Sequence, residues 1–153
     1  MFLAQAVAAG AGFLISVLWF DLMFDVQVLR HRGELRVSDA TLDSIAAYYH
    51  RVTTTASPMG RLVVLVMLAL VTPLIAQAVR EDVDAWVSVI SFVAAATGIG
   101  LAMVRVFGRA RRLGYRNDPR EMQSELARSI FRDHLVCIAA MVTLLVVQFV
   151  GAV

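Results

Sequence analysis

Two carboxylates stand where a carboxylate is costly. Asp21 and Asp25 lie in the apolar stretch LISVLWFDLMFDVQVLR, which runs on to Arg30. They are four residues apart, so on a helix they share one face. At 1.5 Å per residue, Asp25 sits roughly 7 Å and Asp21 roughly 13 Å from Arg30. A charge inside a membrane helix costs about 2.5–3.5 kcal/mol on insertion scales, and such residues face the bundle interior with a partner. Two neighbouring carboxylates also repel, which favours a proton on one of them.

The groups able to answer them are few. Arg61, Arg105 and the pair Asp133-His134 each fall at the end of a different apolar stretch. Tyr49, His50 and Arg51 end a polar segment expected to cover the same mouth. Four chemistries fit this set. Asp21 or Asp25 paired with Arg61 or Arg105 fixes helix register and does nothing more. Asp21, Asp25 or His134 acts as acid or base on a lipophilic molecule, with Tyr49, His50, Arg51, Arg61 and Arg105 binding its polar part. Asp21 and Asp25 carry protons or cations across the membrane. Asp21, Asp25, His134 and His50 hold a metal, although their spacing is not diagnostic of one. No residue pattern specifies a cofactor. The other half of the chain's apolar mass is nearly featureless.

The elements that must position these residues are membrane helices. Of 153 residues, 59% are hydrophobic and 17% charged, and mean hydropathy is +0.74. A soluble domain holds about 45–50% apolar and ~25% charged residues. Runs near 2–24, 58–79, 86–107 and 134–150 reach the ~20 apolar residues that span a bilayer. The expected fold is all-α: a four-transmembrane-helix bundle in one domain, with a fourth helix projecting well beyond the membrane. Met1–Phe24 lacks a basic leader and should remain as a span. Small-xxx-small pairs, Ala8 with Gly12, Ala94 with Gly98 and Ala96 with Gly100, allow close helix approach. Pro73 inside the second span predicts a kink.

Between spans 1 and 2, Ser38 is a good N-cap, and Leu42, Ile45, Ala46, Tyr49 and Val52 form an apolar stripe at helical spacing. This predicts an amphipathic helix over about 39–52, lying at the interface or capping the bundle, with Thr53-Thr54-Thr55 ending it. Residues 108–118, GRARRLGYRND, read as a basic loop before a helix that starts near Pro119.

All 14 basic residues are Arg. Four lie in the first loop and eight around the third, against Arg80 alone in the second. The positive-inside rule then places loops 1 and 3 in the cytoplasm and both termini outside, in a multi-pass plasma-membrane (inner-membrane) protein. Arg side chains suit anionic lipid headgroups as contacts. A homo-oligomer in the bilayer is expected. Nothing points to nucleic acid. The lone Cys137 excludes an intrachain disulfide and a cysteine-based zinc site.

The stretches LDSIAAYYHRVTTTASPMGRLVVL and IFRDHLVCIAAMV, with a first span ending in an acid, resemble the anthrone-oxygenase-like family of small four-helix membrane proteins. The likeness covers most of the chain as architecture, with Tyr49-x-Arg51 and His134 as the residue matches. It implies a four-helix membrane fold and, from characterised members, oxidation of polycyclic anthrones to quinones without an evident cofactor. Asp25 and residues 30–33 stand where that family carries a Glu and a Pro. Eicosanoid and glutathione membrane enzymes share the length and span number. Their glutathione-binding Arg-Asn-Glu pattern is missing from span 2.

Overall fold

The computed structural model describes residues 2–81 and 83–151, apart from the side chain of Ser57. Among these residues all regular structure is helical. Helix α1 (Phe2–Asp25) continues as a 3₁₀ turn, Val26–His31. Then come α2 (Asp39–His50), α3 (Ser57–Arg80), α4 (Ala85–Leu101), α5 (Phe107–Tyr115) and α6 (Arg120–Val150). Four helical stretches are long and apolar enough to cross a membrane: Phe2–His31, Pro58–Arg80, Ala85–Tyr115 and Arg120–Val150. Leu65, Leu68, Val89, Val93 and Val104 are each more than half exposed on the outside of the bundle. So large an exposed apolar belt suits lipid rather than water.

Helix α6 is the central post. It packs along α1 on one side and α4 on the other, and α3 leans mainly on α1. One core lies among these four helices, built on Val7, Leu14, Leu70, Ala94, Met141 and Leu144. A second lies beyond it, where Leu42, Ile45 and Tyr49 of α2 meet Ala110 and Leu113 of α5 and Ile130 of α6. The stripe expected on α2 is therefore spent on protein: its apolar residues are buried against α5 and α6. Ser38 caps α2 as its sequence predicts, accepting a hydrogen bond from the Thr41 N–H at 3.3 Å.

Two segments depart from regular α-helix. At Arg51–Thr55 the chain adopts a π turn. The hydroxyls of Thr53, Thr54 and Thr55 each bond back to the carbonyl four residues earlier. Such back-bonding competes with the backbone ladder, and three in a row loosen it. Ala102–Val106 is a second π turn, linking α4 to α5. The helix does not stop at the expected loop: residues 108–115 continue it, because Ala110, Leu113 and Gly114 recur at helical spacing and are buried. Two of the three arginines in this stretch find carboxylates. Arg109 pairs with Asp133 at 2.9 Å, and Arg112 grips Asp118 through two bonds of 2.7 Å. The chain turns at Arg116, in the left-handed region with φ 55°.

Of the three glycines in the small-residue pairs, only Gly98 lies in close approach to another helix. Gly12 and Gly100 have open space where a Cβ would be. Gly98 does face α6, with the Met141 Cε 2.6 Å from that position, and Gly114 lies against the α2 backbone. Nor is the end of the bundle farthest from α2 featureless. There the Gln77 amide donates to Gln148 Oε1 at 3.0 Å, and Gln148 in turn donates to the Ser91 hydroxyl at 2.9 Å. This buried polar chain ties α3, α6 and α4 together, and in lipid such bonds add modestly to helix association.

Candidate functional site

The site lies where the two cores meet. Helix α2 crosses the end of α1, so the adjacent Tyr48 and Tyr49 face two carboxylates one helical turn apart. The Tyr48 hydroxyl donates to Asp21 Oδ1 at 2.7 Å, and the Tyr49 hydroxyl donates to Asp25 Oδ1, also at 2.7 Å. Phe24 stacks on Tyr48, with ring centres 4.1 Å apart and planes 9° from parallel, which fixes that ring. From α6, His134 enters between the carboxylates. Its Nδ1 lies 2.6 Å from Asp25 Oδ2 and its Nε2 3.7 Å from Asp21 Oδ2.

A carboxylate only accepts hydrogen bonds, so Nδ1 carries the proton toward Asp25, while Nε2 points to the Asp21 side and makes no hydrogen bond there. Asp25 is fully enclosed, and each of its oxygens has a donor. Its part is to hold His134 in one orientation and one tautomer. Asp21 is less enclosed and lies on the Nε2 side.

That side opens into a cavity of about 540 Å³, within the ~300–1,000 Å³ range of small-molecule sites. It occupies the wedge between α3 and the α4–α5 helix, with α1 and α6 behind. Leu14, Met67, Ile99 and Met141 line its deep end. His134, Asp21 and the two tyrosines lie along its wall, and Arg61 and Arg111 stand at its rim. An imidazole nitrogen facing an apolar chamber, backed by a buried carboxylate, can take or give a proton to a molecule held there.

The phenols stay neutral. Burial, followed by the charge of the neighbouring carboxylates, pushes Tyr48 and Tyr49 above the ordinary tyrosine value of ~10. A group whose ionisation is raised by folding stabilises the fold fully below its unfolded value. That contribution is lost as pH climbs toward the folded value. In an ultraviolet titration of the folded protein, the difference between wild type and a Tyr48→Phe/Tyr49→Phe variant should therefore show no phenolate up to about pH 11. Phenolate absorbance from these two residues near pH 10, with the fold intact, would contradict the geometry.

The residues expected at the site divide. Asp21, Asp25, Tyr49 and His134 come together, and Arg61 reaches the cavity rim. Arg105 does not join them: it turns to the far side of α6 and lies 3.4 Å from Asp133, which Arg109 also holds. Neither Arg61 nor Arg105 forms an ion pair with Asp21 or Asp25, so the arginine-based register lock is absent and tyrosine and histidine take its place. His50 is exposed and packs edge-on to Tyr115, 5.8 Å between ring centres, well apart from the carboxylates. Arg51 is exposed on the π turn and does not line the cavity. Among the described residues no group of three His, Cys, Asp or Glu side chains is arranged to hold a metal.

Two participants were not singled out from the sequence. Tyr48 lies off the apolar stripe of α2, yet two adjacent phenols facing acids at i and i+4 are a readable pairing once α2 is folded against α1. Arg111 was counted within a basic loop, and only the helical course of α5 brings it to the rim. No family model matches the chain, and neither a curated protein nor a solved structure matches it.

Proposed function

We propose that this protein is a multi-pass membrane protein that holds a lipophilic molecule in the cavity between α3 and α4–α5 and presents Nε2 of His134 to it. The observation that carries this reading is the placement of His134, held from behind by Asp25, in the wall of a largely apolar chamber. A register lock needs no chamber, and an apolar binding pocket needs no oriented imidazole. The arginine asymmetry supports a cytoplasmic site, with both termini outside and α2 and the first turns of α6 on the cytoplasmic face.

The roles follow from position. Asp25, outside the chamber, positions the imidazole. Tyr49 holds Asp25, and Tyr48 holds Asp21. His134 is the proton acceptor or donor toward the bound molecule, and Asp21 lies beside it to balance the charge it gains.

Native mass spectrometry of the protein released from detergent tests this. One lipophilic molecule per chain should survive release, and Ile99→Trp, which fills the deep end, should lose it. His134→Gln should keep the bound molecule and leave it chemically unaltered, where wild type converts it. A wild-type chain that retains nothing, or a Trp variant that retains as much, would overturn the reading.

A further inference from the structure

Several arginines of this end of the molecule are held by protein groups. Arg105 and Arg109 are held by Asp133, Arg112 by Asp118, Arg116 by Asp43, and Arg120 by Asp39. Arg128 donates to the backbone carbonyls of the loop before α2. Arg30, Arg32, Arg51, Arg61 and Arg111 form no ion pair among the described residues, and of these only Arg61 and Arg111 line the cavity. Both are exposed, and both stand at its rim from opposite walls, α3 and α5.

The interior behind them runs along the helices. From Arg111 down to Gly98, also in the lining, the α5–α4 wall covers thirteen residues, roughly 20 Å of helix. At its far end the side chains are those of Leu14, Met67 and Met141. An elongated, mostly apolar cavity of that length, with two guanidinium groups that form no ion pair at one end and only apolar side chains at the other, suits a single chain with an anionic head. The rim is also where α3 and α5 stand apart, with the exposed Phe20 and Met59 beside the arginines. A molecule already in the leaflet can enter there sideways, head last, without leaving the membrane.

We propose that the cavity ligand is an anionic single-chain amphiphile, its carboxylate or phosphate head bound by Arg61 and Arg111 and its chain lying past His134 toward Met67 and Met141. This rests on the pocket reading above and adds the class of ligand.

The test uses the full-length protein in detergent with three probes of one chain length: palmitate, hexadecyl phosphate and hexadecanol. Occupancy is read by native mass spectrometry and affinity by competition between the probes. The expected result is tighter binding of one or both anions than of the alcohol, by tenfold or more. Arg61→Gln and Arg111→Gln should each weaken the anions about fivefold, the scale of an exposed ion pair, and leave the alcohol unchanged. A preference for palmitate over hexadecyl phosphate identifies a carboxylate head, and the reverse a phosphate head.

Equal binding of anion and alcohol would overturn the head-group assignment, as would anion binding indifferent to both arginine variants. If hexadecanol binds and Ile99→Trp abolishes it, the pocket stands while the assignment falls. If none of the three binds, both fall together.

Discussion

Asp25→Leu is expected to destabilise the protein by about 2–6 kcal/mol, the cost of leaving two buried donors without their acceptor. Asp25 is wholly enclosed and serves two groups at once, the Tyr49 hydroxyl and His134 Nδ1. An isobutyl group there accepts from neither, and both donors remain buried without water. Asp21→Leu is the comparison. Asp21 keeps some exposure, its contact with His134 is longer at 3.7 Å, and its phenol partner is only partly buried. Water can replace what is lost, so its cost should fall near 1 kcal/mol. Thermal unfolding of the two variants in the same detergent, followed by circular dichroism, measures the difference. Equal losses would mean that Asp25 is not the hub of the cluster.

Asp25→Asn separates position from chemistry. The amide oxygen still accepts from Tyr49, and the amide NH₂ then faces His134 Nδ1. The ring can satisfy it by moving its proton to Nε2, which turns that nitrogen into a donor toward Asp21. Fold and cavity should survive, with the wrong tautomer at the chamber wall; the same substitution on an aspartate-oriented histidine lowers catalysis by about 10⁴ in serine proteases. Nitrogen-15 shifts of the His134 ring would report the exchange. Unchanged shifts in the folded variant would show that Asp25 does not set the tautomer.

Legibility in the sequence followed the range of the forces involved. The apolar runs and their lengths are local, so four membrane-length helices and the Ser38-capped helix could be read directly. Asp21, Asp25 and His134 stood out because a charged or polar group in an apolar helix needs a partner. Which partner it finds depends on helix phase across the bundle, and there opposite charge misled. Arg105 is one residue out of phase, since its neighbour Val106 faces the cavity while Arg105 meets Asp133 instead of Asp21 or Asp25. The tyrosines were hidden by a different effect. Amphipathicity says that Tyr49 is on the buried face, but not that α2 lies across α1, which is decided by its packing on α5. That packing was itself masked, because residues 108–115 carry three arginines among eight residues and read as a loop. They form a helix because Asp118 and Asp133 are present to receive two of those charges.

That dependence on α5 yields the second large effect. Gly114→Ala is expected to destabilise the protein by about 1–3 kcal/mol, the scale of forced overpacking. An added Cβ would lie 2.8 Å from the backbone nitrogen of His50, 3.0 Å from its Cα and 3.2 Å from the Tyr49 carbonyl carbon. These are main-chain atoms of α2, which no rotamer change can move aside. The gain of up to ~1 kcal/mol that Ala brings over Gly within a helix opposes the loss without cancelling it. Gly108, in the same helix, has nothing within 4 Å of its Cβ position, so Gly108→Ala should keep that gain and raise the unfolding temperature. Opposite signs for one substitution six residues apart remove propensity as the explanation. The consequence for the site is specific. Pushing α2 off α5 displaces the turn that carries Tyr48 and Tyr49, so both phenols should withdraw from Asp21 and Asp25. The ultraviolet titration should then show Tyr48 and Tyr49 ionising at lower pH in Gly114→Ala than in wild type, and unchanged in Gly108→Ala. A Gly114→Ala protein as stable as wild type, with its phenols still silent, would show that α2 does not depend on this contact for its place over the carboxylates.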